Sequence, residues 1–169
     1  QRHNIPFESV LAKGANNRMF TRIKEEAVRA TRQLATERGE CPDGEGYGVR
    51  NAHLLSVAPN ASSSIICGNT SPSIEPYRAN AFTQKTKSGS SLLKNEYLQH
   101  ALQEIGMDTE EVWKSVITNS GSVQQLEFLD EYTKDVFKTA VEIDQKWIIE
   151  MAGDRQQHIC QSQSLNVRP

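Results

Sequence analysis

Only two runs in this chain read as core strands, and they lie far apart in the sequence. His53 to Ala58 is short and mostly apolar, and it stops at Pro59, the pattern of a buried strand. Ser162 to Val167 alternates polar and apolar residues, the period of a half-buried strand. Asn80–Lys87 and Ser91–Lys94 flank Ser88-Gly89 and predict a hairpin. Two strands and a hairpin cannot close a sheet, and open strand edges need neighbours. The expected fold is therefore α/β and helix-rich, with strands that belong to a larger layered structure.

The helices predicted around these strands raise the same demand. From Asn17 to Glu37, Phe20, Ile23, Ala27, Ala30 and Leu34 recur at three- and four-residue steps and form an apolar stripe, stopped at Gly39. Cys41 to Gly48 is a loop dense in turn residues. Lys94–Ile105 is a helix closed by Gly106. Asp108 and Glu111 have capping-box spacing and open a helix to Thr118, ended by Asn119-Ser120-Gly121. Asp130–Ala152 is predicted as the longest helix, with Val136, Phe137, Ala140, Ile143, Trp147 and Met151 on its apolar face. Such stripes need a partner surface. The chain opens on Gln1 and stops at Pro169, just after the alternating run. The expectation is a single partial domain, 1–169: a fragment, a split-gene product or a trimmed piece.

Charge and cysteine usage exclude several classes. The formal net charge is -2, which leaves no overall basic field for nucleic acid. Arg18, Arg22, Lys24, Arg29 and Arg32 are offset by Glu25, Glu26 and Glu37 and read as a solvated helix face. Cys41, Cys67 and Cys160 are odd in number and widely spaced, which suits reduced thiols in a cytoplasmic protein rather than a disulfide framework. No Cys/His spacing suits structural zinc. No apolar run is long enough for a membrane, and no signal peptide is visible. His53 reads as a core histidine, and His3, His100 and His158 form no constellation. Trp113 and Trp147 read as core or interface, and Cys160 as an inert buried thiol.

The segment with chemical content is Ala58-Pro59-Asn60-Ala61-Ser62-Ser63-Ser64-Ile65-Ile66-Cys67-Gly68. A strand feeds a polar turn, which opens a short helix stopped by glycine. The first turn of a helix has unpaired N–H groups and a partial positive charge. Backbone amides at Ala61, Ser62 and Ser63, with the side chains of Asn60, Ser62 and Ser63, can donate to an anion without Lys or Arg. It is not a Walker A loop, which would carry Gly-x-x-x-x-Gly-Lys-Ser/Thr. On local physics alone, serines that merely cap a helix are the commoner case, and both readings stay open.

A wider pattern surrounds this loop: Arg50-Asn51, Pro59 to Ser64, Gly68-Asn69-Thr70, Ser73-Ile74-Glu75-Pro76-Tyr77 and Asn80. Ile5 to Ser9, Asn119 to Gln124 and Gln161 to Asn166 extend it over nearly the whole chain. In this order the segments resemble the large, catalytic subunit of class I ribonucleotide reductases. The resemblance implies part of that family's ten-stranded α/β barrel, its C-terminal portion, with His53–Ala58 and Ser162–Val167 as two of the strands. It implies that Asn60, Ala61, Ser62 and Ser63 bind the diphosphate of a ribonucleoside diphosphate. Asn60 and Ser63 replace threonines of the usual loop and keep a donor, a variant similar to that of some bacteriophage members.

The resemblance also implies what this segment does not carry. In the family a thiyl radical abstracts the 3′-hydrogen, water leaves C2′, and a cysteine pair supplies electrons. Those cysteines, their Asn and Glu neighbours and the allosteric sites belong upstream of the matched region, and Cys41, Cys67 and Cys160 do not match them. The radical-path tyrosine pair and a redox-active tail belong downstream, so Tyr77 and Tyr132 are not those tyrosines. Glu75 is given a structural role near the barrel and no catalysis. The segment is thus expected to bind substrate without reducing it, and to hold no catalytic residue, cofactor or metal itself. Implied partners are the rest of the large subunit, a small subunit with a metal-dependent radical, and a thioredoxin- or glutaredoxin-type reductant. Neither nucleic acid nor membrane is among them. The rival reading is a non-catalytic helical binding or scaffold module, whose sign would be a self-sufficient core.

Overall fold

The computed structural model describes residues 1–60, 62–67, 70–86 and 89–168. Helix α1 (Val10–Arg38) leads into a single helical turn at Pro42–Gly44. Then come α2 (Ser63–Ile66), the strands β1 (Ala81–Thr86) and β2 (Gly89–Lys94), α3 (Glu96–Glu104), α4 (Glu110–Thr118), α5 (Glu131–Val136) and α6 (Gln145–Gln156). Strands β1 and β2 form the predicted antiparallel hairpin, with Ala81 opposite Lys94 and Thr86 opposite Gly89; Ser88 of its predicted turn lies outside the described residues.

The two predicted core strands do meet, though not as extended strands. Val57 and Gln163 form one isolated parallel bridge. Val57 N–H donates to Ser162 O at 3.1 Å, Ser164 N–H to Val57 O at 2.8 Å, and Gln161 N–H to Leu55 O at 3.1 Å. Leu54, Leu55 and Val57 are only half-buried and His53 is exposed, which corrects its reading as a core histidine. Among the described residues no further strand flanks this pair, so the apolar run that suggested burial has little to bury it.

Helix α1 starts earlier than its stripe predicted, because Ser9 caps it: Ser9 Oγ accepts from Ala12 N–H at 3.1 Å. Its buried residues are Asn16, Phe20, Thr31 and Ala35, and Ala30 and Ile23 of the predicted stripe are exposed. The packing face is fixed by α6. Asn16 Nδ2 donates to Met151 O at 3.2 Å, and Arg155 Nη1 donates to Asn16 Oδ1 at 3.0 Å. Val10 and Leu11, 81% and 66% exposed, lie on an uncovered face.

The main core is a single cluster that joins α3, α4, α5, the start of the hairpin and the loop between α4 and α5. Leu98, Leu102, Val116 and Val123 are fully buried there, around Trp113, Leu126, Leu129 and Phe137. Asp108 does not cap α4 as its spacing predicted. Thr109 is the cap, and Asp108 instead accepts from Trp113 Nε1 at 2.7 Å, Gln103 at 3.0 Å and Gln99 at 3.2 Å. These bonds, that from Trp113 first, hold the Asp108 carboxyl below its ordinary pKa and tie α3 to α4.

The predicted long helix Asp130–Ala152 is two helices. Phe137, Ala140 and Ile143 are buried as the stripe required, but in a connection rather than a helix. Thr139 turns the chain by donating its N–H and its hydroxyl to Glu142 Oε2, both at 2.8 Å, and Ala140 N–H donates to Tyr77 O at 2.8 Å. Asp144 then restarts the helix by accepting from Lys146 N–H at 2.9 Å. Asp144→Ala should lose about 0.5–2 kcal/mol of stability, as N-cap removals do, and Asp144→Asn should keep most of it. Urea unfolding followed through the adjacent Trp147 measures this; an alanine variant as stable as wild type would contradict the capping role.

Candidate functional site

The hydroxyl-rich loop leaves the paired segment at Val57 and folds back on itself. Asn60 shapes it from several atoms. Its N–H donates to Pro72 O at 2.8 Å and its Nδ2 to Ala58 O at 3.0 Å. Its backbone oxygen accepts from Ser64 N–H at 2.9 Å, and its Oδ1 from Ser63 Oγ at 3.3 Å. Thr70 N–H donates to Ser64 O at 3.0 Å and closes the far side. Asn60, Ser62 and Ser63 are exposed, Ser64 is buried, and Ala61 lies outside the described residues.

The serine-cap alternative fares poorly here. Ser62 stands at the cap position with φ -91° and ψ -43°, and its side chain makes no cap hydrogen bond. Among the described residues, the amides of Ser62 and Ser63 have no partner. Helix α2 has four residues, so it sums few peptide dipoles. Any anion would therefore be held by local amides and hydroxyls rather than by a helix dipole.

Pro59 and Ser64 bracket the loop and line a cavity of about 920 Å³. Arg78, Glu75, Asn166 and Arg168 line it too. Sequence reasoning missed the two arginines, because long-range contacts, the bridge between Val57 and Gln163 and the bonds of Asn166 to Glu75 among them, bring their segments together. Arg168 Nε is buried with no hydrogen-bond partner among the described residues, a donor that an anionic or carbonyl oxygen would satisfy. Glu75 is 3% exposed, and its carboxylate accepts from Asn166 N–H at 2.9 Å and Asn166 Nδ2 at 3.1 Å. Burial pushes its pKa up, yet hydrogen bonds from Ser73 and Asn166 bring it below the ordinary carboxylate value. The Tyr77 hydroxyl is pushed up to about 12, first by burial.

Cys160 corrects another expectation. It is exposed, not buried, and its Sγ accepts from Leu54 N–H at 3.0 Å and Leu55 N–H at 3.2 Å. The bonds from Leu55 and Leu54 lower its pKa. His158 is a tie between helices, with Nε2 at 2.9 Å from Asn17 Oδ1 and 3.2 Å from Thr21 Oγ1. Among the described residues no cluster of His, Cys, Asp and Glu could hold a metal, and no helix is long and apolar enough to cross a membrane.

Fold and site together define an α/β segment with a hydroxyl- and amide-bearing turn; its flanking Pro59 and Ser64 line a cavity, and Asn60, Ser62 and Ser63 do not. The family model of the ribonucleotide reductase barrel domain matches residues 42–168. The chain is 52% identical over 167 residues to a putative ribonucleoside-diphosphate reductase large subunit of Frog virus 3 (isolate Goorha), covering 99% of this chain and 29% of that protein. It is 34% identical to the large subunit of Danio rerio, covering 96% of this chain and 24% of the relative. The solved alpha subunit of a class Id ribonucleotide reductase from Actinobacillus ureae superposes with a TM-score of 0.89 at 43% identity. That match covers 98% of this chain and 30% of the bacterial one. The chain belongs to the ribonucleotide reductase large-subunit family, and its fold is part of the barrel domain. It spans less than a third of the length of these relatives. Membership in this family displaces the reading as an independent scaffold module.

Proposed function

We propose that this chain is one partial domain, 1–169, the C-terminal portion of a reductase barrel, and that it holds the substrate's diphosphate. The reaction it serves is the radical reduction of ribonucleoside diphosphates to deoxyribonucleoside diphosphates. The radical comes from a small subunit with a metal centre, and electrons from a thioredoxin- or glutaredoxin-type reductant. The redox cysteines lie in other segments of the subunit, so this chain binds and orients substrate without reducing it.

The observation that carries this reading is the turn at Asn60–Ser63. Among the described residues its Ser62 and Ser63 amides and its Ser62 side chain are not spent on capping, and its flanking Pro59 and Ser64 line a cavity shared with Arg168, whose Nε has no partner there. A diphosphate bridges such a site well, because each charge-assisted hydrogen bond contributes roughly 1.5–3 kcal/mol net. Asn60 fixes the turn, and Ser62 and Ser63 do the holding, with the family pattern adding the Ala61 amide. Titration of the chain with a ribonucleoside diphosphate and with its parent ribonucleoside tests the proposal. The diphosphate should bind at least about tenfold more tightly, or 1.4 kcal/mol. Equal affinities would overturn it. In a parallel assay with a dithiol reductant, the chain alone should form no deoxynucleotide above background.

A further inference from the structure

We propose that Glu75 is a positioning residue: its carboxylate locks the exit of the phosphate-holding turn to the segment that already holds the entry. This rests on the reading of Asn60–Ser63 as the diphosphate turn. The entry is fixed by backbone pairing, with Leu55 and Val57 bonded to Gln161, Ser162 and Ser164. The exit runs through residues 70–75. Thr70 N–H holds Ser64 O at 3.0 Å, and Pro72 O holds Asn60 N–H at 2.8 Å. Ser71 Oγ donates to Glu75 O at 2.8 Å. Nothing in that set ties the exit to the 161–166 segment except Glu75, which takes both donors of Asn166 at 2.9 and 3.1 Å. One segment thereby anchors both ends of the turn, at Val57 and at Glu75.

The chemistry of the contact is specific. Two acceptor oxygens face one backbone N–H and one amide N–H, and the carboxylate accepts both. No ion pair within 4.0 Å neutralises Glu75 among the described residues, so the buried charge is held by neutral donors. Arg155, 1% exposed, hydrogen-bonds only the neutral Asn16 and Gln163 among the described residues, and the Glu75 charge favours its protonated form. The two bonds from Asn166 to Glu75 hold the exit only while both acceptors are present, so removing them should release the exit of the turn.

Two disruptive variants and one restoring pair separate positioning from general scaffolding. Glu75→Leu removes both acceptors, and Asn166→Asp sets a carboxylate against Glu75. The double variant E75Q/N166D restores complementarity: the Gln oxygen accepts the backbone N–H, and its amide donates to the new Asp. Amide exchange read at Asn60 and Ser64 should rise about tenfold or more in each single variant, while Leu98 and Leu102 in the core stay protected. Affinity for inorganic diphosphate should fall by about tenfold or more in each, and the double variant should recover both readouts to within about twofold. Unchanged exchange at Asn60 and Ser64, failure of the double variant to recover, or equal loss of protection in the core would each overturn the proposal. If the exchange pattern and its recovery appear but wild type binds no diphosphate, positioning stands and the diphosphate reading falls. If wild type binds diphosphate and the exchange pattern is absent, the reverse holds.

Discussion

Gly121→Ala should be among the most damaging single substitutions in the chain, well beyond the loss expected for a helix cap. Gly121 has φ +86°, a conformation that costs a residue with a Cβ roughly 1–3 kcal/mol. The space is also closed. A Cβ at Gly121 would lie 2.3 Å from Ala79 Cβ, 2.5 Å from Ala79 Cα and 2.9 Å from Asn80 N, all on or near rigid backbone. Overpacking of this kind adds roughly 1–3 kcal/mol, and the damage would not stay local. Gly121 O accepts from both Asn80 N–H and Asn80 Nδ2 at 3.0 Å. Asn80, 1% exposed, also donates to Phe137 O at 2.8 Å and accepts from Asn95 Nδ2 at 2.8 Å. Moving Ala79 thus disturbs a buried knot that joins the hairpin, α3 and the α4–α5 loop. Urea unfolding followed by Trp113 fluorescence should show a midpoint loss larger than for Asp144→Ala. A loss under about 1 kcal/mol would mean the loop shifts freely and the knot is not rigid.

What the sequence made legible depended on whether the deciding interaction was local. The hairpin, α3 and α4 follow from turn residues, caps and apolar periods within a few residues of each other. The break between α5 and α6 does not, because Phe137, Ala140 and Ile143 keep a helical period while being buried in a connection. What breaks the helix is Thr139 with Glu142 and the reach of Ala140 to Tyr77, the last a long-range contact. Asp108 misled for a similar reason: capping-box spacing was present, but Trp113 Nε1 is a competing donor within reach. The burial of His53 and Cys160 was overestimated, since an apolar run implies burial only where neighbouring strands cover it, and here only one bridge forms. At the site, the turn itself was legible from Asn60, Ser62 and Ser63. Arg78, Arg168 and the Glu75–Asn166 contact were not, because segments far apart in sequence meet there.

We propose that Ser62 and Ser63 hold a diphosphate rather than shape a helix. Combined replacement, Ser62→Ala with Ser63→Ala, removes two hydroxyl donors and leaves the backbone amides. Each lost charge-assisted bond is worth roughly 1.5–3 kcal/mol, though amides and Arg168 can take up part of the load. The variant should therefore bind a ribonucleoside diphosphate about 10- to 100-fold more weakly, with binding reduced but not abolished. Stability should change little, since Ser62 makes no cap bond and Ser63 only a long one of 3.3 Å to Asn60. The direct measurement is calorimetric titration of wild type and double variant with the ribonucleoside diphosphate and with its parent ribonucleoside. The loss should be confined to the diphosphate. Equal losses for both ligands would contradict it, because the serines would then be shaping the fold and not holding phosphate.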